Sequence, residues 1–196
     1  EGPGFKEKII RSGVNGNYKG KNQPLMAGSY ILVPDDEKLD SSSLTISAFI
    51  YPTTPKVDVE GVLVGEQAIL SKWDAKKKSG YGLFINESGE LEFKLGGGRG
   101  KVSSFSSKKP LMRKVWYKVF ASYDAVKGQV IIGQIPYLTA TNGGHGMSML
   151  HPREETEVIK KYNASSASIS LNDCPLLMAA STLKTNTNRK LSGAHY

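Results

Sequence analysis

The fold of this 196-residue chain is decided by the stretches GSYILVPDDEKLDSSSLTISAFIYPTTP (residues 28–55) and, after a variable piece, AILSKWDAKKKSGYGLFINESGELEFKL (residues 68–95). Short runs of alternating apolar and polar residues are separated there by Pro, Gly, Asn and Asp. This is the pattern of half-buried strands joined by turns. Residues 86–89, Asn-Glu-Ser-Gly, predict a β-hairpin turn in which the glycine supplies a positive φ angle. In the second arm, alternation predicts a buried face of Leu91, Phe93 and Leu95 and a wet face of Glu90, Glu92 and Lys94.

Eight strands are predicted along the whole chain. They are Tyr30–Val33, Leu44–Ile50, Ala68–Trp73, Tyr81–Ile85, Glu90–Leu95, Val115–Tyr123, Gly128–Ile135 and Leu176–Ala180. A short helix is predicted over Glu154–Tyr162, where helix-forming residues are frequent. Many short strands joined by tight turns are typical of two packed antiparallel sheets. The sequence therefore predicts an all-β fold, an antiparallel two-sheet sandwich of jelly-roll type, with at most one or two short helices.

The length of the chain fits one domain spanning residues 1–196. Within it, residues 1–27 form a lead-in segment, and residues 136–173 form a polar loop insertion that is too long for an ordinary connection. Hydrophobic residues make up 39% of the chain, enough for a packed core. No apolar run approaches the ~18–20 residues of a membrane span. Because the chain starts at Glu1 without an initiator Met, we expect a fragment of a longer chain.

The net charge is +8, and the positive residues form small clusters. The clusters are Lys76–Lys78, Lys108–Lys109, Arg113–Lys114 and Lys160–Lys161. Each lies at a predicted turn or edge, where lysine keeps sheets soluble. A nucleic-acid groove would also need exposed aromatic side chains among the cations, whereas Trp73, Trp116 and Tyr117 are predicted core residues. We therefore interpret the clusters as a solvated surface and expect neither nucleic acid nor a membrane as partner. Docking against an acidic partner surface is a better alternative use of the charge than nucleic-acid binding.

No residues with catalytic or metal-ligand spacing are found in the sequence. His145, His151 and His195 are far apart, and HExxH, CxxC and GxSxG are absent. The glycine-rich run 96–100 opens no helix, so it predicts a turn or bulge rather than a phosphate loop. Cys174, the only cysteine, is interpreted as a small buried hydrophobe, and the lack of a possible disulfide favours a cytoplasmic protein. We assign no catalytic and no cofactor-binding residue.

One run of acidic side chains is a candidate metal site. Asp35, Asp36 and Glu37 carry the hard oxygen ligands that calcium prefers. A solvated turn after Pro34 is the simpler interpretation, and no other metal site is predicted.

Two further patterns suggest sugar chemistry. Glu90 and Glu92 resemble the paired carboxylates of a sandwich glycosidase, but they lie two residues apart on one strand and are interpreted as part of its wet face. Trp73 and Trp116 are aromatic side chains of the kind that stack on sugars. Their apolar neighbours in predicted strands favour core packing instead.

Five motifs follow one another along residues 28–181. They are GSYILVPD at the first edge strand, SLTISAFIYPTTP, the hairpin ILSKW…GYGLFI…GELEFKL, the Trp-containing KVWYKVFASYD…GQVII, and LLMAAS near the end. In this order they resemble the laminin G-like, concanavalin A-like jelly-roll domains. This resemblance implies the fold and leaves the function open, because one fold hosts many functions.

A second resemblance also includes loops and the lead-in. It is carried by Gly2-Pro-Gly-Phe-Lys-Glu7, Gly28-Ser-Tyr-Ile-Leu-Val-Pro-Asp35, Thr53-Thr-Pro55, Ser71-Lys-Trp73 with Ser79-Gly80, Pro110-Leu111, Trp116-Tyr117 and Ala194-His195-Tyr196. These residues span almost the whole chain. They resemble the large-subunit family of the N,N-dimethylformamidases, bacterial amide hydrolases whose large (beta) subunit carries such a domain near its N-terminus.

The second resemblance implies that hydrolysis of a linear amide C–N bond, and the iron centre associated with it, belong to a catalytic region outside this chain. No catalytic position of that family is present here. The expected role is a non-catalytic accessory domain in a bacterial, cytoplasmic hetero-oligomer. Its expected partners are the catalytic region of the same large subunit, the small subunit, or both.

Two other functions stay open from the residues alone. A carbohydrate-binding, lectin-like module, with or without calcium, would need exposed aromatic side chains on the concave face or at the loop rim. A sandwich glycosidase would need two carboxylates facing one cleft.

Overall fold

The computed structural model of the protein describes residues 30–56, 63–137 and 157–181. These residues form ten strands and one 3-10 turn, Glu37–Leu39. The strands are β1 (Ile31–Val33), β2 (Leu44–Ile50), β3 (Gln67–Asp74), β4 (Ser79–Ile85), β5 (Glu90–Gly98), β6 (Lys101–Pro110), β7 (Tyr117–Asp124), β8 (Gln129–Pro136), β9 (Val158–Asn163) and β10 (Leu176–Met178). All eight predicted strands are confirmed, with small shifts at their ends.

The strands form two antiparallel sheets. The six-stranded sheet has the order β1-β10-β3-β4-β5-β6, and the four-stranded sheet has the order β2-β7-β8-β9. Pairing of β1 with β10 aligns Ile31 with Met178, so residues far apart in sequence meet at one sheet edge. The predicted all-β, two-sheet sandwich is therefore confirmed.

The core lies between the two sheets and follows from the alternation. Tyr117, Val119 and Ala121 of β7 are completely buried, as are Leu91 and Phe93 of β5. Side chains from both sheets belong to one continuous apolar cluster. Burial of this apolar surface is the main force that holds the sheets together.

The predicted hairpin between β4 and β5 is confirmed, and one of its faces differs from expectation. Gly89 has a φ angle of 78°, and its N–H donates to the Asn86 carbonyl over 2.8 Å. The face expected to be wet is half-buried. The Lys94 ammonium explains this, because it pairs with the Glu66 carboxylate across that face and lies 5.2 Å from the centre of the Phe84 ring.

Two strands at sheet edges were not predicted. The sequence of β6, KVSSFSSKKP, is rich in Ser and Lys, so it lacks the apolar alternation of an inner strand. The helix predicted over Glu154–Tyr162 is wrong for its described part, because Val158–Asn163 forms β9 and pairs with β8. Pairing with a neighbouring strand overrides the weak helix propensity there. Residues 154–156 lie outside the described ranges.

The lysine clusters lie at turns or edges, as predicted. Two occupy turns, Lys76–Lys78 and Arg113–Lys114. The other two lie on the edge strands of the two sheets, Lys108–Lys109 on β6 and Lys160–Lys161 on β9. Charged side chains at these positions oppose the pairing of exposed edges with other chains.

Tyr162 on β9 joins the two sheets along one side of the sandwich. Its hydroxyl donates to the Ser106 carbonyl of β6, and its ring lies 5.6 Å from the Phe105 ring. We expect Tyr162→Phe to lower the free energy of unfolding by about 1 kcal/mol, since one partly buried hydrogen bond is lost while the ring contact is kept. Urea denaturation measures this change, with the exposed Tyr137→Phe as the control. Equal stability of both variants would contradict the assigned link.

Candidate interaction surface

The outer side of the four-stranded sheet carries an apolar face, defined here by Phe49, Phe120, Ile131, Ile135, Tyr137 and Ile159. These side chains lie opposite to the inward residues of each strand. Phe49, Tyr137 and Ile159 are each more than half exposed. Lys118 lies between Phe49 and Ile135 on this side, and Lys161 lies beside Ile131. Exposed apolar groups rimmed by polar side chains mark surfaces that bind another molecule.

Cross-strand pairing fixes the shape of the apolar face. One row across the sheet joins Ser47, Phe120, Gly133 and Ile159. The Phe120 ring lies over Gly133, where an added Cβ would come within 2.3 Å of a ring carbon. The glycine therefore lets the aromatic ring lie flat on the sheet instead of standing out from it.

Aromatic side chains extend this face at the end of the sheet. The Tyr137 ring packs edge-on against Phe49, with 5.7 Å between ring centres. The Trp116 ring packs against Tyr51 in a tilted contact with 5.2 Å between ring centres, and 45% of Trp116 is exposed. Aromatic side chains are enriched in protein interfaces because they bury a large area and lose little entropy.

The predictions for the two tryptophans were wrong. Adjacent residues of a strand face opposite sides, so the complete burial of Tyr117 points Trp116 outward. Trp73 is half-buried and lies outside the core cluster. Its neighbour Lys72 is the inward residue. One premise of the argument against nucleic acid, a buried Trp116, is thereby removed.

An apolar groove continues the apolar face around the edge of β2. It has a volume of about 380 Å³ and is lined mainly by Ile31, Ala48, Ile50 and Met178. Within the described residues, no strand pairs with the outer edge of β2. Such an edge offers free backbone N–H and C=O groups to an incoming segment.

A buried cation closes the space between neighbouring segments of the sandwich. The Lys72 side chain is 1% exposed, and its ammonium lies 2.7 Å from an Asp35 oxygen and 3.2 Å from an Asp40 oxygen. It also donates to the Asn172 carbonyl. Burial disfavours the charged form, but the two carboxylates outweigh it and raise the pKa of Lys72. The ammonium is therefore charged at neutral pH.

The calcium candidates contribute to the fold around this cation. Asp35 pairs with Lys72, and Asp36 accepts a hydrogen bond from the Lys38 N–H over 2.9 Å, which caps the 3-10 turn. Glu37 is exposed. Among the described residues, no three His, Cys, Asp or Glu side chains are grouped so as to hold a metal ion. The described residues therefore offer no group of ligands for the iron implied by the resemblance. Calcium binding by Asp35, Asp36 and Glu37 stays a prediction.

The carboxylates of the candidate glycosidase pair, Glu90 and Glu92, are held by neighbouring side chains. Glu90 accepts hydrogen bonds from Ser106 and Asn86, and Glu92 lies 3.3 Å from the Lys94 ammonium. Burial opposes the charge of Lys94, but hydrogen bonds and attraction from Glu66 and Glu92 outweigh it and raise its pKa. Glu90, Glu92 and Lys94 lie on one face of β5, where Lys94 forms ion pairs and Glu90 is held by hydrogen bonds.

Cys174 and the glycine-rich run, the remaining candidates within the described residues, form no reactive arrangement. Cys174 is half-buried, and burial, followed by the Asp74 charge, raises the pKa of its thiol, which keeps it protonated. His145, His151 and His195 lie outside the described residues. The glycine-rich run continues β5 through a bulge into a turn at Arg99–Gly100, as predicted. Within the described ranges, no helix has the length and apolar character of a membrane span.

Comparison with known proteins places this sandwich in a family. The model of the Concanavalin A-like lectin/glucanases superfamily (Laminin_G_3) matches residues 25–134, more than half of the chain. The chain belongs to this superfamily. The resemblance to laminin G-like, concanavalin A-like domains is therefore confirmed.

Two curated relatives of this chain are beta subunits of N,N-dimethylformamidase. The subunit from Alcaligenes sp is 34% identical over 148 residues, and the subunit from Paracoccus aminophilus is 32% identical over 148 residues. In each case the match covers 74% of this chain and 18% of the relative. The chain thus spans less than a fifth of the length of these relatives.

Two solved structures are more distantly similar to this superfamily member. One, from Bacteroides ovatus, is described as a candidate carbohydrate-binding protein, with a TM-score of 0.49, 18% identity, and coverage of 84% of this chain and 38% of that one. The other is tailspike protein 2 of bacteriophage CBA120, with a TM-score of 0.42, 13% identity, and coverage of 91% and 29%. Both scores are too low to establish a shared function.

The buried ammonium of Lys72 generates a stability prediction. We expect Lys72→Met to lower the free energy of unfolding by about 1–2 kcal/mol, because the Asn172 carbonyl and the partly exposed Asp35 and Asp40 lose their cation. Denaturant unfolding at neutral pH measures this loss. The exposed Lys161→Met is the control and is expected to change stability by less than about 0.5 kcal/mol.

The same ammonium predicts how stability changes in base. The folded pKa of Lys72 lies above its ordinary value of 10.5, so its contribution is fully present below that value and is lost as pH rises through the folded pKa. Burial also raises the pKa values of Tyr81 and Tyr117. Ionisation of their hydroxyl groups therefore destabilises the folded chain in the same pH range. The stability difference between wild type and Lys72→Met is therefore expected to shrink above about pH 10.5. A constant difference up to about pH 12 would argue against a buried ammonium.

Proposed function

We propose that this chain is a non-catalytic, architectural domain of an N,N-dimethylformamidase-like amide hydrolase large subunit. It packs through its apolar face on the remaining region of the same subunit. The 34% identity to an N,N-dimethylformamidase beta subunit supports the parent protein, and the exposed apolar face supports the packing role. Localisation in the bacterial cytoplasm is part of this proposal.

The observation that carries the proposal is the contrast between the two kinds of side chain. The polar groups that acid–base chemistry would use are held in ion pairs, Lys72 with Asp35 and Asp40, and Lys94 with Glu66 and Glu92. Three of the exposed apolar side chains, Phe49, Tyr137 and Ile159, lie on the outer side of the four-stranded sheet. A domain of this kind supplies surface to a partner, and chemistry takes place elsewhere in the parent chain.

The remaining region of the large subunit is the occupant that we assign to the apolar face. More than four-fifths of each relative lies outside the match, so the sandwich has a large neighbour on the same polypeptide in those proteins. A covalent neighbour is present at high effective concentration, which allows a moderate apolar area to form a stable contact. The apolar groove and the open edge of β2 extend the contact area next to Phe49.

A test of this proposal measures binding between the chain and the remaining region of the subunit, produced as a separate polypeptide. We expect Phe49→Ser combined with Ile159→Ser to weaken binding at least about tenfold, since the double change removes exposed apolar groups from both edge strands of the face. Val126→Ser is the matched control, because Val126 is 96% exposed but lies in the β7–β8 turn.

Three outcomes would overturn the proposal. The double variant could bind as tightly as wild type, which would remove the apolar face from the contact. The chain could bind only the small subunit or only a second copy of itself, which would show a different occupant. Hydrolysis of N,N-dimethylformamide by the purified chain alone, at enzyme-like rates, would reject a non-catalytic role.

Carbohydrate binding is a second candidate function, favoured by one observation. The exposed Trp116 ring, supported by the tilted Tyr51 ring, is an aromatic side chain of the kind that packs on sugar rings. For this function we expect specific binding on a glycan array, with and without calcium, that is lost in Trp116→Ala. Absence of glycan binding under both conditions, together with weakened binding of the Phe49→Ser, Ile159→Ser double variant to the subunit region, would leave only the architectural role.

A further inference from the structure

A second cavity lies on the six-stranded sheet, away from the apolar face. Its volume is about 510 Å³, and it opens between the β3–β4 turn and the β5–β6 turn, beside residues 170–171. The side chains that line it include Lys76, Lys77, Ser79, Arg99 and Ser170. Most of these groups donate hydrogen bonds, and none of them is an acid.

The two turns that form the cavity are fixed by their own hydrogen bonds. An Asp74 oxygen accepts the backbone N–H groups of Lys76 and Lys77 at 2.8 and 3.0 Å. The Gly98 N–H donates to the Lys78 carbonyl over 3.1 Å and joins the two turns. Arg99 and Gly100 have φ angles of 49° and 81°, as a tight hairpin turn requires. The cations therefore lie on a rigid frame.

The charge inside this frame is only partly balanced by acidic side chains. Lys77 lies 4.0 Å from Asp74, at the limit of an ion pair, while the same carboxylate already accepts two backbone N–H groups. Among the described residues, Lys76 and Arg99 form no ion pair within 4 Å. The cavity thus presents an excess of positive charge next to polar walls.

Ser79 supplies an independent indication of a ligand. It is 2% exposed, and its carbonyl accepts a hydrogen bond from the Asn172 side chain over 2.8 Å. Its hydroxyl has no hydrogen-bond partner among the described residues, although it is buried in the cavity wall. An unpaired buried hydroxyl costs about 1–3 kcal/mol, so an acceptor at this point would recover that energy.

We propose that this cavity binds one oxoanion group: a carboxylate, a sulfate or a phosphate. The Ser79 hydroxyl donates a hydrogen bond to an oxygen of the ligand, and Lys76, Lys77 and Arg99 compensate its charge. Hydrogen bonds between charged donors and anionic oxygens are the strong ones in proteins, which favours an oxoanion over a neutral polar group. This inference does not depend on the proposed architectural function.

The chain contains a matched control for the cationic turn. Lys127 occupies in the β7–β8 turn the position that Lys77 has in the β3–β4 turn. An Asp124 oxygen accepts the Val126 and Lys127 N–H groups, and Lys127 pairs with Asp124 at spacing i,i+3. The Lys127 and Lys77 side chains are 73% and 71% exposed. A change at Lys127 alters net charge equally but leaves the cavity intact.

The test is a titration of the nitrogen-15-labelled chain with sodium sulfate, followed by backbone amide shifts, against sodium chloride at equal ionic strength. We expect saturable shifts at Ser79 and at Gly97, Gly98 and Gly100. Ser79→Ala is expected to weaken sulfate binding about tenfold, and Lys77→Gln about threefold, from the usual strength of such hydrogen bonds. Lys127→Gln is expected to bind sulfate as wild type does.

Parallel titrations with sodium phosphate and sodium acetate identify the oxoanion. Preference for acetate indicates the carboxylate of an acidic side chain, and preference for sulfate or phosphate indicates a free or esterified inorganic anion. Shifts that grow linearly with each salt, or equal weakening by Lys127→Gln and Lys77→Gln, would overturn the assigned site. The amide spectrum of Ser79→Ala reports whether this variant keeps the fold.

Discussion

The buried ammonium of Lys72 is the interaction on which the arrangement of distant segments depends. It reaches from β3 to Asp35 and Asp40, which precede β2, and to the carbonyl of Asn172, which precedes β10. A buried charge needs partners at short distance, so the ammonium favours the arrangement in which these three segments meet. The amide of Asn172 also donates to the Ser79 carbonyl, which carries the constraint into β4.

The same requirement explains the role of two acidic side chains, Asp35 and Glu92. Asp35 is at the same time a calcium candidate by its sequence and a counter-ion by its contacts with Lys72. Glu92 follows the same pattern with Lys94. In both places a carboxylate is used to keep a half-buried or buried lysine charged. Residue type alone does not distinguish a ligand from a counter-ion, because the deciding partner lies far away in the sequence.

The strands could be predicted from the sequence where their signals lie in neighbouring residues. Alternation and turn residues identified the strands of the two hairpins, because each hairpin forms from neighbouring residues. The polar edge strand β6 has no such alternation, and β9 is a strand only because β8 lies beside it. Sheet order was not predicted, since the pairing of Ile31 with Met178 joins opposite ends of the described chain.

The candidate surfaces were harder to predict for a related reason. An exposed aromatic face requires knowing which of two adjacent aromatic residues points inward, and Trp116 and Tyr117 give the same local signal. Likewise, Lys76, Lys77 and Arg99 belong to different hairpins, and only the sheet brings them to one cavity.

The apolar face and the cationic cavity lie on different sheets. The apolar face lies on the four-stranded sheet, where Phe120 over Gly133 keeps the surface flat enough for a partner. The cationic cavity lies at the turns of the six-stranded sheet. A partner on the apolar face would therefore leave the cavity open to solvent. The positive net charge then has a local use, because a few fixed cations around one buried hydroxyl act on a single anionic group rather than on a polyanion as a whole.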